Sequence, residues 1–261
     1  MSTEPATVTA EIPEPFGAHV EELLSRAAAE RLAQRLRDGD GTLWGAPQTP
    51  EVANRLGWLT IAERMLAQLD ELESFCAEVR ESDVEHVLLL GMGGSSLAPE
   101  VLRRAFAVES GWPTLHVLDS TDAAAIRATE QAIDPARTLF IVSSKSGGTI
   151  EPLSLFAHFF ALHGDGASFL AITDMGSGLE RLAREHGFRR VFNGDPDIGG
   201  RYSALSPFGI VPAALAGVDV RALLQEAGAA WQGALEIDGD GDGDGDRGEA
   251  AHDTGAPESG R

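Results

Sequence analysis

The spacing of hydrophobic positions changes partway along the chain. From Phe16 to Arg37, the residues Val20, Leu23, Leu24, Ala27, Leu32 and Leu36 recur at helical spacing. After a Gly-rich break (DGDG, 38–41), Val52, Leu56, Leu59, Leu66, Leu69, Leu72 and Val79 form a second stripe. It predicts a helix from about Pro50 to Ser82, so residues 16–83 read as a helical pair that packs on the rest of the chain. Beyond residue 84 the apolar runs become short and continuous: HVLLLG (86–91), LHVLD (115–119), TLFIVSS (138–144), SFLAIT (168–173) and RVFNG (190–194). Helical segments are predicted between them, near 97–108, 122–132, 149–163 and 177–187. Uninterrupted apolar strands alternating with helices indicate an α/β domain over 84–234, a mainly parallel five-stranded sheet covered on both faces in three layers. In such sheets ligands bind beyond the carboxyl ends of the strands, which directs attention to the loops leaving them.

Composition narrows the picture. The N-terminal residues 1–15 carry three prolines, only acidic charges and no apolar periodicity, and read as a flexible arm rather than a targeting segment. No apolar stretch approaches the ~20 residues needed to span a bilayer. A net charge of −21 speaks against a nucleic-acid or anionic-membrane partner, though not against a small anion held by local donors. The one cysteine, Cys76, lies on an apolar stripe and reads as a core thiol, which fits a cytoplasmic location. The segment 235–261 reads as a disordered acidic tail. Asp238, Asp240, Asp242, Gly243 and Glu249 within it fall at calcium-loop spacing, but an Asp-Gly repeat matches much of that pattern by composition. Gly245 also stands where an apolar residue is needed, so no metal site is assigned.

Three loops carry chemistry. GMGGSSLAPE (91–100) joins the glycines 91, 93 and 94 to Ser95 and Ser96 at a helix start, where unpaired N–H groups favour anions. Read as G-x-G-x-x-G it has Ser96 in place of the third glycine, and Asp119 ends the next strand, so a nucleotide-binding α/β domain stays open. SSKSGGTIEP (143–152) is not a phosphate-binding Walker loop, because Lys145 precedes Gly147 and Gly148 rather than following them. Its Ser144, Ser146 and Thr149 can donate to phosphate oxygens, and Lys145 either adds charge there or points elsewhere. NGDPDIGGRYSALSPFG (193–209) places Arg201 on the flexible backbone of Gly199 and Gly200, able to stabilise charge developing on oxygen.

Taken in order, GMGGSS, SSKSGGTIE and GGRYSALSPFG resemble the glucose-6-phosphate isomerase family, specifically its N-terminal sugar-isomerase (SIS) domain. The stretch TLWGAPQTPEVANRLGWL (42–59) is similar to compact bacterial members that occur fused to transaldolase. The resemblance covers about residues 16–230. It implies that Ser95, Ser144, Ser146 and Thr149 bind the 6-phosphate of a hexose, with Lys145 beside them. It also implies that Gly94 and Gly200 lie close to the sugar, that Glu151 supports the site, and that Arg201 stabilises an enediolate. The family carries threonines where this chain has Ser146 and Gly148, which removes one side-chain donor. The implied reaction interconverts glucose 6-phosphate and fructose 6-phosphate without a cofactor, moving a proton between C2 and C1. The family's base glutamate, histidine and lysine lie in a second SIS domain, and after Arg201 this chain has only a helical stretch and the acidic tail. The chain therefore reads as an incomplete isomerase that self-associates or awaits its C-terminal half. The alternative is a non-catalytic sugar-phosphate-binding module.

Overall fold

The computed structural model describes residues 12–47, 49–52, 54–106 and 110–236. The acidic repeat with its calcium-like spacing, and residues 1–11 of the arm, lie outside them. Five parallel strands, β1 (His86–Gly91), β2 (Thr114–Leu118), β3 (Thr138–Ser143), β4 (Phe169–Asp174) and β5 (Arg190–Gly194), form one sheet in the order β2-β1-β3-β4-β5. The strands alternate their side chains between two cores. Val87 and Leu89 of β1 face one side; Leu88 and Leu90 face the other, and all four are fully buried. That two-sided burial is why these strands read as unbroken apolar runs.

One layer contains α3 (Ile61–Leu66), α4 (Leu69–Arg80), α5 (Leu97–Ala105), α9 (Pro207–Leu215) and α10 (Val220–Glu236). The opposite layer contains α6 (Ala123–Ala132), α7 (Ile150–His163) and α8 (Gly178–Glu185), packed through an aromatic group that includes Phe140, Phe156, Phe159 and Phe169. Buried Cys76 belongs to the first core; burial, with Glu73 nearby, pushes its thiol pKa up to about 12. Among the described residues no helix is long and apolar enough to cross a membrane.

The N-terminal helices differ from the expected pair. The first breaks at Arg31, whose φ of 52° is left-handed, into α1 (Phe16–Ala29) and α2 (Leu32–Arg37). The apolar stripe of α1 is not buried: Leu24 keeps 65% of its surface exposed. The second does not begin at Pro50. Residues 50–52 lie in turns, a 3-10 turn covers Gly57–Thr60, and the helix divides again between α3 and α4 around Gln68. Leu59, Leu69, Leu72 and Val79 still reach the core and Leu66 packs against it, so this part of the stripe survives while the helix does not run through. At the other end α10 continues through Glu236, past residue 235 where the tail is expected to start.

Candidate functional site

The chain order of the strands fixes where a ligand can enter. From β1 the chain crosses outward to β2, then returns over β1 to β3 and proceeds the other way to β4 and β5. The loops leaving β1 and β3 therefore diverge at a topological switch point, and the crevice between them is the binding position of such sheets. A cleft of about 660 Å³ opens there, lined from the β1 loop by Met92, Gly94 and Ser95 and from the β3 loop by Lys145, Ser146 and Thr149. Gly199, Gly200, Arg201 and Tyr202 close a third side.

Of the residues expected at the site, Gly94, Ser95, Lys145, Ser146, Thr149, Gly200 and Arg201 share this cleft. Ser95 is nearly buried, and among the described residues its hydroxyl makes no hydrogen bond. Thr149 stands at the N-cap of α7 without capping it. Its hydroxyl oxygen instead accepts from Ser144 Oγ at 3.0 Å, which leaves the Thr149 proton free to point into the cleft. Ser144 does not line the cleft: it is 2% exposed and acts behind Thr149. Glu151 also lies outside the lining, half-buried in the first turn of α7. Ser146 Oγ accepts from Gly148 N at 3.3 Å and is exposed.

Lys145 lines the cleft, but its ammonium is engaged elsewhere. Nζ donates to both carboxylate oxygens of Asp174, at 2.9 and 2.7 Å, and to the carbonyl of Asp195 at 2.8 Å. An ammonium has three protons, so all its donors have partners. The guanidinium of Arg201, by contrast, forms no ion pair among the described residues. Close backbone approach explains Gly94: a Cβ there would lie 2.4 Å from the carbonyl oxygen of Gly200. Gly147, at φ 67°, closes the β3 loop through its N–H to Ser144 O at 3.1 Å.

Other expectations fall away from the cleft. Asp119 is exposed at the end of β2 and is not part of the lining, so the feature that kept nucleotide binding open does not join the site. The two histidines of α7 also lie outside the lining: His158 pairs with Glu130 at 2.7 Å, and His163 contacts Ser168 at 3.0 Å. Sequence reasoning missed Glu51, Arg55, Asp174 and Tyr202, which also line the cleft. Arg55 and Glu51 sit within the compact-isomerase stretch 42–59, the only signal that could have singled them out.

Known proteins share this span of the chain. A glucose-6-phosphate isomerase of Thermus thermophilus is 37% identical over 185 residues, covering 68% of this chain and 43% of the relative. One from Trichormus variabilis is 34% identical over 182 residues, covering 64% of this chain and 34% of the relative. Among solved structures, a hypothetical protein of Thermus thermophilus superposes with a TM-score of 0.67 at 33% identity, covering 85% of this chain and 53% of that one. A glucose-6-phosphate isomerase of Chlamydia trachomatis gives 0.54 at 26% identity, covering 78% and 38%. The chain thus spans between a third and a half of the length of these curated relatives. A sequence model of phosphoglucose isomerase matches residues 60–233, the span that builds the sheet and all three loops, and the chain belongs to that family.

Proposed function

We propose that this chain binds a hexose 6-phosphate and supplies the phosphate-holding and enediolate-stabilising side of a glucose-6-phosphate isomerase. The observation that carries this reading is the convergence of Ser95, Ser146, Thr149 and Arg201 on one cleft at the switch point, with the hydroxyls of Ser95 and Thr149 held ready to donate. Hydroxyl donors would fix the phosphate and so place C1 and C2 of the open-chain sugar. Arg201 would meet the oxygen on which negative charge grows as the C2 proton leaves.

The proton itself needs a free base. Among the described residues the carboxylates of the cleft are Asp174, held by Lys145, and Glu51, which faces Arg55. Neither stands unpartnered in the cleft, and in our reading the base comes from the second half of the enzyme. The purified 261-residue chain is accordingly expected to show a thermal shift with millimolar fructose 6-phosphate and no turnover in a coupled isomerase assay. Family-level turnover would overturn the division of labour, and absence of any shift would overturn the binding site. Restored turnover on adding the C-terminal half of a related isomerase separates this reading from a module that only binds.

The cradle can also be strengthened. A Cβ at Gly148 meets nothing within 4 Å, and Gly148 is not among the positive-φ glycines, so Gly148→Thr fits. One added hydroxyl donor is expected to tighten fructose 6-phosphate binding about threefold to tenfold, the effect of one net hydrogen bond. Unchanged or weaker affinity by calorimetric titration would count against a phosphate at this loop.

A further inference from the structure

We infer that Arg55, from the segment that precedes the sheet, is an anion-binding residue of the cleft, and that Glu51 competes with the anion for it. The inference rests on the reading of the cleft as a sugar-phosphate site. With the ammonium of Lys145 fully engaged, the cationic groups left to meet a phosphoryl dianion there are the guanidiniums of Arg201 and Arg55. Arg201 belongs to the reacting end of the sugar, which leaves Arg55 for the phosphate.

Arg55 is held for this purpose. One amino group donates to the backbone carbonyls of Pro196 at 3.0 Å and Asn54 at 3.1 Å, which aims the planar guanidinium. The segment around it is fastened to the Arg201 loop by the Leu56–Ile198 bridge and by Gly57 N donating to Asp197 O at 3.0 Å. Among the described residues the other amino group meets only Glu51 Oε1, at 3.4 Å. The two partners differ in how firmly they sit: 31% of the Arg55 side chain is exposed, against 78% of Glu51. A long ion pair to an exposed carboxylate is weak, whereas a guanidinium presents two parallel donors to a phosphate. Glu51 also has a φ of 62°, a left-handed conformation uncommon for a residue with a side chain, in the turn at the cleft mouth. A phosphate that displaces Glu51 gains a charge-assisted contact and releases an exposed side chain to solvent.

Calorimetric titration of the full chain with inorganic phosphate and with fructose 6-phosphate tests this, using wild type, Arg55→Gln, Arg55→Lys and Glu51→Gln. Loss of the guanidinium in Arg55→Gln is expected to raise Kd about tenfold for both ligands, with Arg55→Lys in between. Glu51→Gln, which leaves the backbone bonds of Arg55 in place, is expected to lower Kd about twofold to threefold by removing the competing charge. A merely structural Arg55 predicts no gain from Glu51→Gln, so an unchanged Kd in that variant overturns the competition. Equal Kd in wild type and Arg55→Gln overturns the inference outright while leaving the sugar-phosphate reading intact. Wild type that binds neither ligand overturns both. A rise in Kd for fructose 6-phosphate but not for inorganic phosphate would place Arg55 on the sugar and overturn its role as a phosphate ligand.

Discussion

Replacing Gly94 with alanine is expected to weaken fructose 6-phosphate binding by about 100-fold or more, because two loops of the site meet backbone to backbone at this residue. A Cβ there would stand 2.4 Å from the oxygen and 2.8 Å from the carbon of the Gly200 carbonyl. Real Cβ atoms do not approach so closely, and no flexible side chain is available to turn aside. The Gly200 carbonyl is itself fixed by Ser203 Oγ at 2.7 Å, which also reaches Gly94 O at 3.5 Å. One loop must therefore retreat, taking with it either Ser95 or Arg201, and the two could no longer address the same sugar. Forcing a methyl into such a contact costs roughly 1–3 kcal/mol of stability, which a denaturant melt would register. Gly148→Ala is the matched control, since a Cβ there meets nothing within 4 Å and binding should stay near wild type. Wild-type affinity in Gly94→Ala would show that the close approach does not position the site.

The sheet was legible in the sequence because its strands are buried on both faces. A run such as VLLL leaves little else for a short segment between turns to be, and the structure puts all of Val87–Leu90 at zero exposure. The helical stripe of residues 50–82 was legible as a buried surface but not as separate elements. Periodicity registers which side chains face the core, and it is nearly blind to a turn at Gly57 or a break near Gln68 that keeps Leu59, Met65 and Leu69 inward. The hydroxyls that line the cleft were legible because they cluster locally in two loops. What escaped is non-local. Asp174 lies 29 residues from Lys145 and reaches it only because β3 and β4 are parallel neighbours. Arg55 is 141 residues from the Pro196 carbonyl it holds, a pairing that no spacing rule encodes. The sequence puts Ser144 in the right loop but one layer too far forward, since a strand end that turns into the core buries the first hydroxyl and presents the later ones.

The engagement of Lys145 leads to the second large expected effect. Its ammonium ties the end of β3 to the end of β4 through Asp174 and to the segment after β5 through the Asp195 carbonyl, at 2.7–2.9 Å. These contacts are mostly sheltered, with the two side chains 21% and 25% exposed. Lys145→Met keeps the stem and removes the charge, leaving a carboxylate and a carbonyl without their donor. The expected loss is about 2–3 kcal/mol, the range for a half-sheltered charged hydrogen bond whose partner is left behind. The three strand ends frame the cleft, so fructose 6-phosphate affinity is expected to fall at least about tenfold as they separate. Asp174→Asn distinguishes how the lysine acts. If Lys145 is a positioning cation, neutralising its anchor loosens the same strand ends, and both melting temperature and affinity fall. If its charge were instead wanted by the phosphate, Asp174→Asn would free the ammonium and affinity would rise. A fall makes Lys145 a positioning cation of the cleft wall, engaged with Asp174 and Asp195, and leaves the phosphate to hydroxyls and arginine; a rise, or a Lys145→Met variant with wild-type melting and binding, would reverse that assignment.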